Sequence, residues 1–211
     1  MARNIEIKAR IPDLGPIRAK AAALASGPTH IIQQTDTFFA VPLGRLKVRE
    51  FPDGSGELIS YERPNQQGPK ESVYTRVACQ DARTLAQALS RVLPVRGVVV
   101  KRREVFWVGR TRVHLDRVEK LGCFVELEVA LDPGESAGQG HREAHELLRA
   151  LEIPPTALVA EAYIDLLETT AVQPAAGPAG GAHPIAVPDD SRRDEGARRR
   201  KRGHWEDARE R

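Results

Sequence analysis

The chain has 211 residues, 41% of them hydrophobic and 29% charged, with 32 Lys/Arg against 29 Asp/Glu for a net charge of +3. That length predicts one cored domain of roughly 100–200 residues with some chain left over, and the charged share exceeds the average of about 25%. No run of about 18 apolar residues is present, and the N-terminus passes from Met1 directly into alternating Ile and charge; this argues against a helical membrane span or a secretory leader and predicts a cytoplasmic protein. Cys79 and Cys123 match no metal-ligand spacing and read as small packing residues.

Residues 5–11 alternate strictly, with Ile5, Ile7 and Ile11 on one face and Glu6, Lys8 and Arg10 on the other, the period of a strand. An Ala-rich stretch over 14–25 predicts a helix ended by Ser26-Gly27-Pro28. Short strands follow at 31–39, 45–51, 58–63 and 73–79, separated by Pro42, by Asp53-Gly54-Ser55-Gly56 and by a polar loop over 64–70, the pattern of an antiparallel meander. A helix over 82–92 precedes two long strands, 98–108 and 112–131, with Gly109-Arg110 as their turn and a break near Leu121-Gly122 that brings the count to eight strands. A loop over 133–140, a helix over 141–151 and a second helix over 156–167 capped by Thr156 complete the body. Residues 1–168 form the predicted domain. Residues 169–211, Ala/Pro/Gly-rich and then Arg-rich, read as a disordered tail.

Charge concentrates on one face of these strands. Glu6, Lys8 and Arg10 share such a face, as do Arg45, Lys47 and Arg49; Arg63, Arg76, Lys101, Arg103, Arg112 and Asp116 follow, and Glu126 and Glu128 end the series. The opposite faces are apolar, for instance Leu46 and Val48, or Val125, Leu127 and Val129. The helices have apolar surface to cover these outer faces, so an α+β fold is expected: a closed eight-stranded antiparallel β-barrel with helices packed outside and the charged faces turned into its lumen. Enclosing that many ions costs several kcal/mol each unless they meet water and a ligand. Cations suit phosphate oxygens, carboxylates suit Mg²⁺ or Mn²⁺, and a metal-bound triphosphate satisfies both.

Glu6-Ile7-Lys8, Lys47-Val48-Arg49, Tyr61-Glu62-Arg63-Pro64, Lys101-Arg102-Arg103, His114-Leu115-Asp116 and Phe124-Val125-Glu126-Leu127-Glu128, in that order over residues 1–167, resemble the CYTH superfamily of triphosphate tunnel metalloenzymes. The resemblance implies a metal-dependent enzyme acting on ATP, tripolyphosphate or thiamine triphosphate, either as a class IV adenylyl cyclase or as a triphosphate hydrolase. It implies Glu6, Glu126, Glu128 and Asp116 as metal or metal-supporting residues. Lys8, Arg10, Arg45, Lys47, Arg49, Arg63, Lys101, Arg103 and Arg112 would clamp phosphates, with Glu6, Lys8, Arg49, Arg103 and Asp116 the catalytic set. The family signature Glu-x-Glu-x-Lys reads here Asn4-Ile5-Glu6-Ile7-Lys8, so its first carboxylate is replaced by a neutral amide.

The alternative is a non-catalytic polyphosphate- or nucleotide-binding module. A nucleic-acid partner is disfavoured, because acidic residues interrupt the tail's basic cluster and Trp205 alone could stack there. A monomer or homodimer is expected. His114 reads as a wall or structural histidine, since no second histidine stands at ligand spacing; His141 and His145 lack a third ligand.

Overall fold

A computed structural model of the chain describes residues 2–172. In chain order these form β1 (Ala2–Ile11), α1 (Gly15–Leu24), β2 (His30–Phe39), β3 (Arg45–Glu50), β4 (Gly56–Glu62), β5 (Lys70–Cys79), α2 (Ala82–Ser90), β6 (Val95–Val108), β7 (Thr111–Val118), β8 (Gly122–Leu131), α3 (Ala137–Ala150), a 3-10 turn (Pro155–Ala157), β9 (Leu158–Val159) and α4 (Tyr163–Val172). The expected tail falls on residues outside those described, apart from 169–172, which continue α4 past the predicted boundary. No helix among the described residues is long and apolar enough to cross a membrane.

Eight strands close into a ring in the order β5-β4-β3-β2-β6-β7-β8-β1, every pair antiparallel, and β1 returns to β5 through Ala2–Glu6 against Lys70–Tyr74. The two-residue β9 lies against Lys8 and Ala9 of β1, on the rungs beyond those paired with β5. Period-two alternation decides which side chain goes where. On β1, Ile5, Ile7, Ala9 and Ile11 join Val113, Leu115, Val125, Leu127 and Val129 in a core roofed by Ile17 and Ala21 of α1 and Ala144, Leu147 and Leu148 of α3. Across the ring, α2 packs Ala82, Leu85 and Leu89 on Phe39 and Val48. The residues between, Asn4, Glu6 and Lys8, face inward and are buried as deeply as the core.

Several boundaries differ from the sequence expectation, β1 starting at Ala2 instead of 5 among them, and for three the tertiary reason is visible. β5 starts at Lys70 instead of 73, because its first residues are polar on both faces: Glu71 pairs outward with Arg3 while Lys70 and Ser72 are buried. α3 starts at Ala137 instead of 141. Its two glycines lower helix propensity, yet a Cβ on Gly140 would meet Ile5 Cγ1 at 2.6 Å and Leu131 Cδ2 at 2.8 Å, so the absent side chain is what lets the helix dock. The helix predicted from Thr156 begins only at Tyr163. Leu158 and Val159 are instead drawn out as a strand by β1, and Asp165 accepts the backbone N–H of Ala162 at 3.1 Å to start α4. β6 begins at Val95, with a register shift at Phe38/Phe39 of its partner β2. The turn after β6 matches its prediction, with Gly109 at φ 58°, a left-handed conformation glycine adopts without strain.

Candidate active site

The ring encloses a cavity of about 500 Å³. One end is stopped by apolar side chains: Phe38, Val99, Val118 and Phe124 from the strands meet Ala162, Tyr163 and Ile164 at the start of α4. Toward the other end the wall carries His30, Phe51, Tyr74, Arg76 and Trp107. Between these ends the inward positions of all eight ring strands bring charge together. Eight Lys/Arg side chains line the cavity (Lys8, Lys47, Arg49, Arg63, Arg76, Lys101, Arg103, Arg112) against five Asp/Glu (Glu6, Asp36, Glu57, Glu126, Glu128). Arg76 is exposed at the mouth and Asp116 is fully buried behind Arg103, so seven enclosed cations face six carboxylates, and so dense a set of buried ions calls for a polar ligand.

On one side of the lumen a single buried carboxylate gathers three cations. Asp36 of β2, 1% exposed, accepts from Lys47 Nζ at 2.8 Å, from Arg49 Nε at 2.8 Å and from Lys101 Nζ at 2.7 Å. Arg49 lies directly across the ladder from Asp36, and Lys101 of β6 pairs with Gln34, two residues along β2. Burial alone would raise the Asp36 carboxyl, but Arg49, Lys101 and Lys47 hold it well below the usual range. The converse strain falls on Lys101: burial, with the neighbouring Arg49, Lys47 and Arg103 charges, outweighs Asp36 and draws it down to about 7. Lys47 is lowered by burial and by Arg49.

The opposite side is acidic, with its own cations interleaved. Arg103 grips Asp116 with two bonds of 2.7 and 2.6 Å and also donates to Glu126 Oε2 at 2.6 Å. Tyr163 Oη donates to Asp116 at 2.8 Å, and its ring lies 4.1 Å beneath Lys8 Nζ. Arg112 donates to Glu128, Arg63 to Glu6 at 3.0 Å, and Lys8 stands 3.4 Å from Glu126. The ladder sets these neighbours: Glu6 pairs with Glu128, Lys8 with Glu126, His114 with Glu126 and Arg112 with Glu128. Burial and Glu126 together raise the Glu6 carboxyl. Glu126 is held well below its ordinary value, against burial, by Lys8, His114 and Arg103.

Four buried side-chain atoms have no hydrogen-bond partner among the described residues: Asn4 Oδ1, Gln34 Oε1, Arg63 Nη2 and His114 Nδ1, and all four residues line this cavity. Buried polar groups are ordinarily satisfied, so unused donors and acceptors converging on one lumen mark a place for a polar ligand. His114, Glu126 and Glu128 bring ligand atoms within 4.8 Å of one another, an oxygen-and-nitrogen set that fits a divalent cation.

Of the residues predicted from sequence, Glu6, Lys8, Lys47, Arg49, Arg63, Lys101, Arg103, Arg112, Glu126 and Glu128 are brought together on the wall. Three others stand elsewhere. Arg10 donates to the carbonyl of Leu121 and covers the ring of Phe124. Arg45 is held outside the lumen by the Arg63 carbonyl, Asn65 and Asp165. Asp116 is fully buried behind the wall, where it fixes Arg103. Sequence reading did not find Asp36, Gln34 or Tyr163. Gln34 and Asp36 occupy alternate positions of the strand predicted over 31–39, to which no charged face was assigned, and the need for a counter-charge among Lys47, Arg49 and Lys101 is the signal that could have found Asp36. Lys70, also unforeseen, is completely buried with its Nζ on the carbonyls of Gln66, Val159 and Ala160; burial lowers it to about 8.

A closed antiparallel sheet with a cation-lined lumen facing a carboxylate cluster defines a charge-lined tunnel. The chain belongs to the CYTH family, whose CYTH domain matches residues 2–163. No curated protein matches it by sequence. Among solved structures it is similar to the PH1012 protein of Pyrococcus horikoshii OT3, with 26% identity and a TM-score of 0.69 over 77% of this chain and 98% of that one. A candidate adenylate cyclase from Vibrio parahaemolyticus shares 17% identity at a TM-score of 0.64, over 78% of this chain and 97% of that one. A candidate adenylyl cyclase from Hippeastrum, reported to show a dominant triphosphatase activity, shares 15% identity at a TM-score of 0.56, over 81% and 96%.

Proposed function

We propose that this protein is a divalent-metal-dependent enzyme that cleaves a triphosphate, binding the phosphate chain along the lumen with its free end toward Tyr163 and any organic group toward Trp107 and Tyr74. The observation that carries this reading is the array of seven enclosed Lys/Arg side chains facing a carboxylate cluster in one lumen that also holds four unpartnered polar atoms. Family membership supports the class of reaction, and the triphosphatase activity of the Hippeastrum neighbour favours hydrolysis over cyclisation.

In this reading Lys8, Lys47, Arg49, Arg63, Lys101 and Arg103 clamp the terminal phosphates, and Arg112 holds those nearer the mouth. Glu126 and Glu128, with Glu6, would hold Mg²⁺ or Mn²⁺. When bound, the ion neutralises charge on the phosphoryl oxygens, as metals do in phosphoryl transfer. The fixed cations act in the same direction: already desolvated and oriented, they favour the spread of negative charge in the transition state without reorganising. Asp116 does not reach the substrate; it keeps the Arg103 fork aimed into the lumen.

The test is product analysis of purified protein with tripolyphosphate, thiamine triphosphate and ATP, each with Mg²⁺ or Mn²⁺. Phosphate release is expected from at least one, falling by about 100-fold or more in Glu126→Gln/Glu128→Gln. Folded protein that releases neither phosphate, pyrophosphate nor cyclic nucleotide from any of them contradicts enzyme function. Asn4 favours one other reading, a binding module: its neutral amide stands where the family signature has a carboxylate, and its Oδ1 has no partner. That reading predicts thermal stabilisation by tripolyphosphate without turnover, and activity gained in Asn4→Glu.

A further inference from the structure

The acidic side of the lumen holds a nitrogen that hydrogen bonding does not account for. His114 is 4% exposed and its Nδ1 has no partner. That atom lies 3.7 Å from Glu126 Oε2 and 3.8 Å from Glu128 Oε1, beyond the ~2.7–3.2 Å of an N–H···O bond. Donor atoms that share one ion at about 2.1 Å stand about 3.0 Å apart at right angles and about 4.2 Å apart when opposite. Both separations fall inside that window. The ladder makes the arrangement rigid: His114 of β7 pairs directly with Glu126 of β8, and Glu128 is the next inward residue. The other ends of the carboxylates are tied down, Glu128 Oε2 by Arg112 and Glu126 Oε1 beside Lys8, which leaves Glu128 Oε1 turned to the histidine. Arg103 also donates to Glu126 Oε2, and a carboxylate oxygen has a second lone pair for a cation.

We infer that His114 supplies a nitrogen ligand to the divalent cation held by Glu126 and Glu128, and so biases this site toward Mn²⁺ and related first-row ions over Mg²⁺. The inference rests on the metal-dependent reading above. Its chemistry follows from ligand hardness: Mg²⁺ keeps to oxygen and resists dehydration, whereas imidazole suits the first-row transition ions. Two carboxylates and a neutral imidazole within reach of one point form a mixed set that a wholly carboxylate site would not provide.

Pulsed electron paramagnetic resonance on the full chain loaded with Mn²⁺, without substrate, tests this. A ¹⁴N modulation is expected, replaced by a ¹⁵N pattern in protein labelled at histidine. It should vanish in His114→Gln and persist in His30→Gln, whose residue lines the mouth of the same cavity. In parallel, the preference for Mn²⁺ over Mg²⁺, measured as a ratio of dissociation constants, should fall about 10-fold or more in His114→Gln. Bound Mn²⁺ without nitrogen coupling, or coupling that survives His114→Gln, overturns the inference; if tripolyphosphate is still cleaved, the enzyme reading stands. Absence of both Mn²⁺ binding and cleavage overturns both. Should His114→Gln fail to fold, histidine-labelled protein in which His30, His141, His145, His183 and His204 are all replaced by Gln, leaving His114 as its one histidine, decides the matter: coupling is expected there, and its absence with Mn²⁺ bound overturns the inference.

Discussion

Lys101 shows how a single side chain carries the chemistry of the lumen. Its ammonium is buried among Lys47, Arg49 and Arg103, with Asp36 as its one bonded carboxylate, and it ionises near 7 instead of the ordinary 10.5. Between those two pH values the unfolded chain holds a proton that the folded chain has released, so this group's contribution to stability rises with pH across that window and is flat below it. An arriving polyphosphate favours the charged form. Calorimetry at pH 8.5 in buffers of different ionisation enthalpy should therefore show uptake of on the order of one proton per tripolyphosphate bound, reduced in Lys101→Met. Binding without proton uptake would mean that Lys101 does not meet the ligand. The basic members of this site were legible in the sequence because Lys47-x-Arg49 and Lys101-x-Arg103 repeat at the strand period. Asp36 was not, since one carboxylate between two threonines carries no pattern. Tyr163 was hidden differently, because a tyrosine at a helix start gains meaning only when Asp116 and Lys8 arrive from strands far along the chain.

At the level of elements, the strands were readable and the chain after Leu131 was less so. Alternation of apolar and charged residues is written locally, and β1, β3, β7 and β8 carry it in full. The starts of α3 and α4 depend on surfaces distant in sequence: Gly140 on its fit to Ile5 and Leu131, and β9 on the unpaired rungs of β1. Two glycines of one helix separate these influences. Gly140→Val should shift the urea midpoint downward with little change in slope, by about 1–3 kcal/mol as expected for overpacking. Gly138→Ala, where an added Cβ meets nothing nearer than 3.9 Å, should be neutral or stabilising by up to ~1 kcal/mol. Equal effects at the two positions would contradict the close approach of α3 to the ring.

For the molecule as a whole, closure of the sheet turns a scatter of charged strand faces into one site. A sheet with the same sequence left open would solvate those residues separately; joined through Ala2–Glu6 and Lys70–Tyr74, it forces them to share about 500 Å³. The concentration of charge was foreseeable from the repeated strand faces, while the division into a cationic side around Asp36 and an acidic side around Glu126 required the strand order. The most direct measurement is calorimetric titration of tripolyphosphate into the wild-type chain and into two charge-matched double variants. One tripolyphosphate per chain is expected, with binding weakened about 100-fold or more in Lys47→Met/Arg49→Met and little changed in Arg10→Met/Arg45→Met, whose side chains lie outside the lumen. Equal loss in both pairs, or unaltered binding in the first, would place the phosphate chain somewhere other than inside the ring.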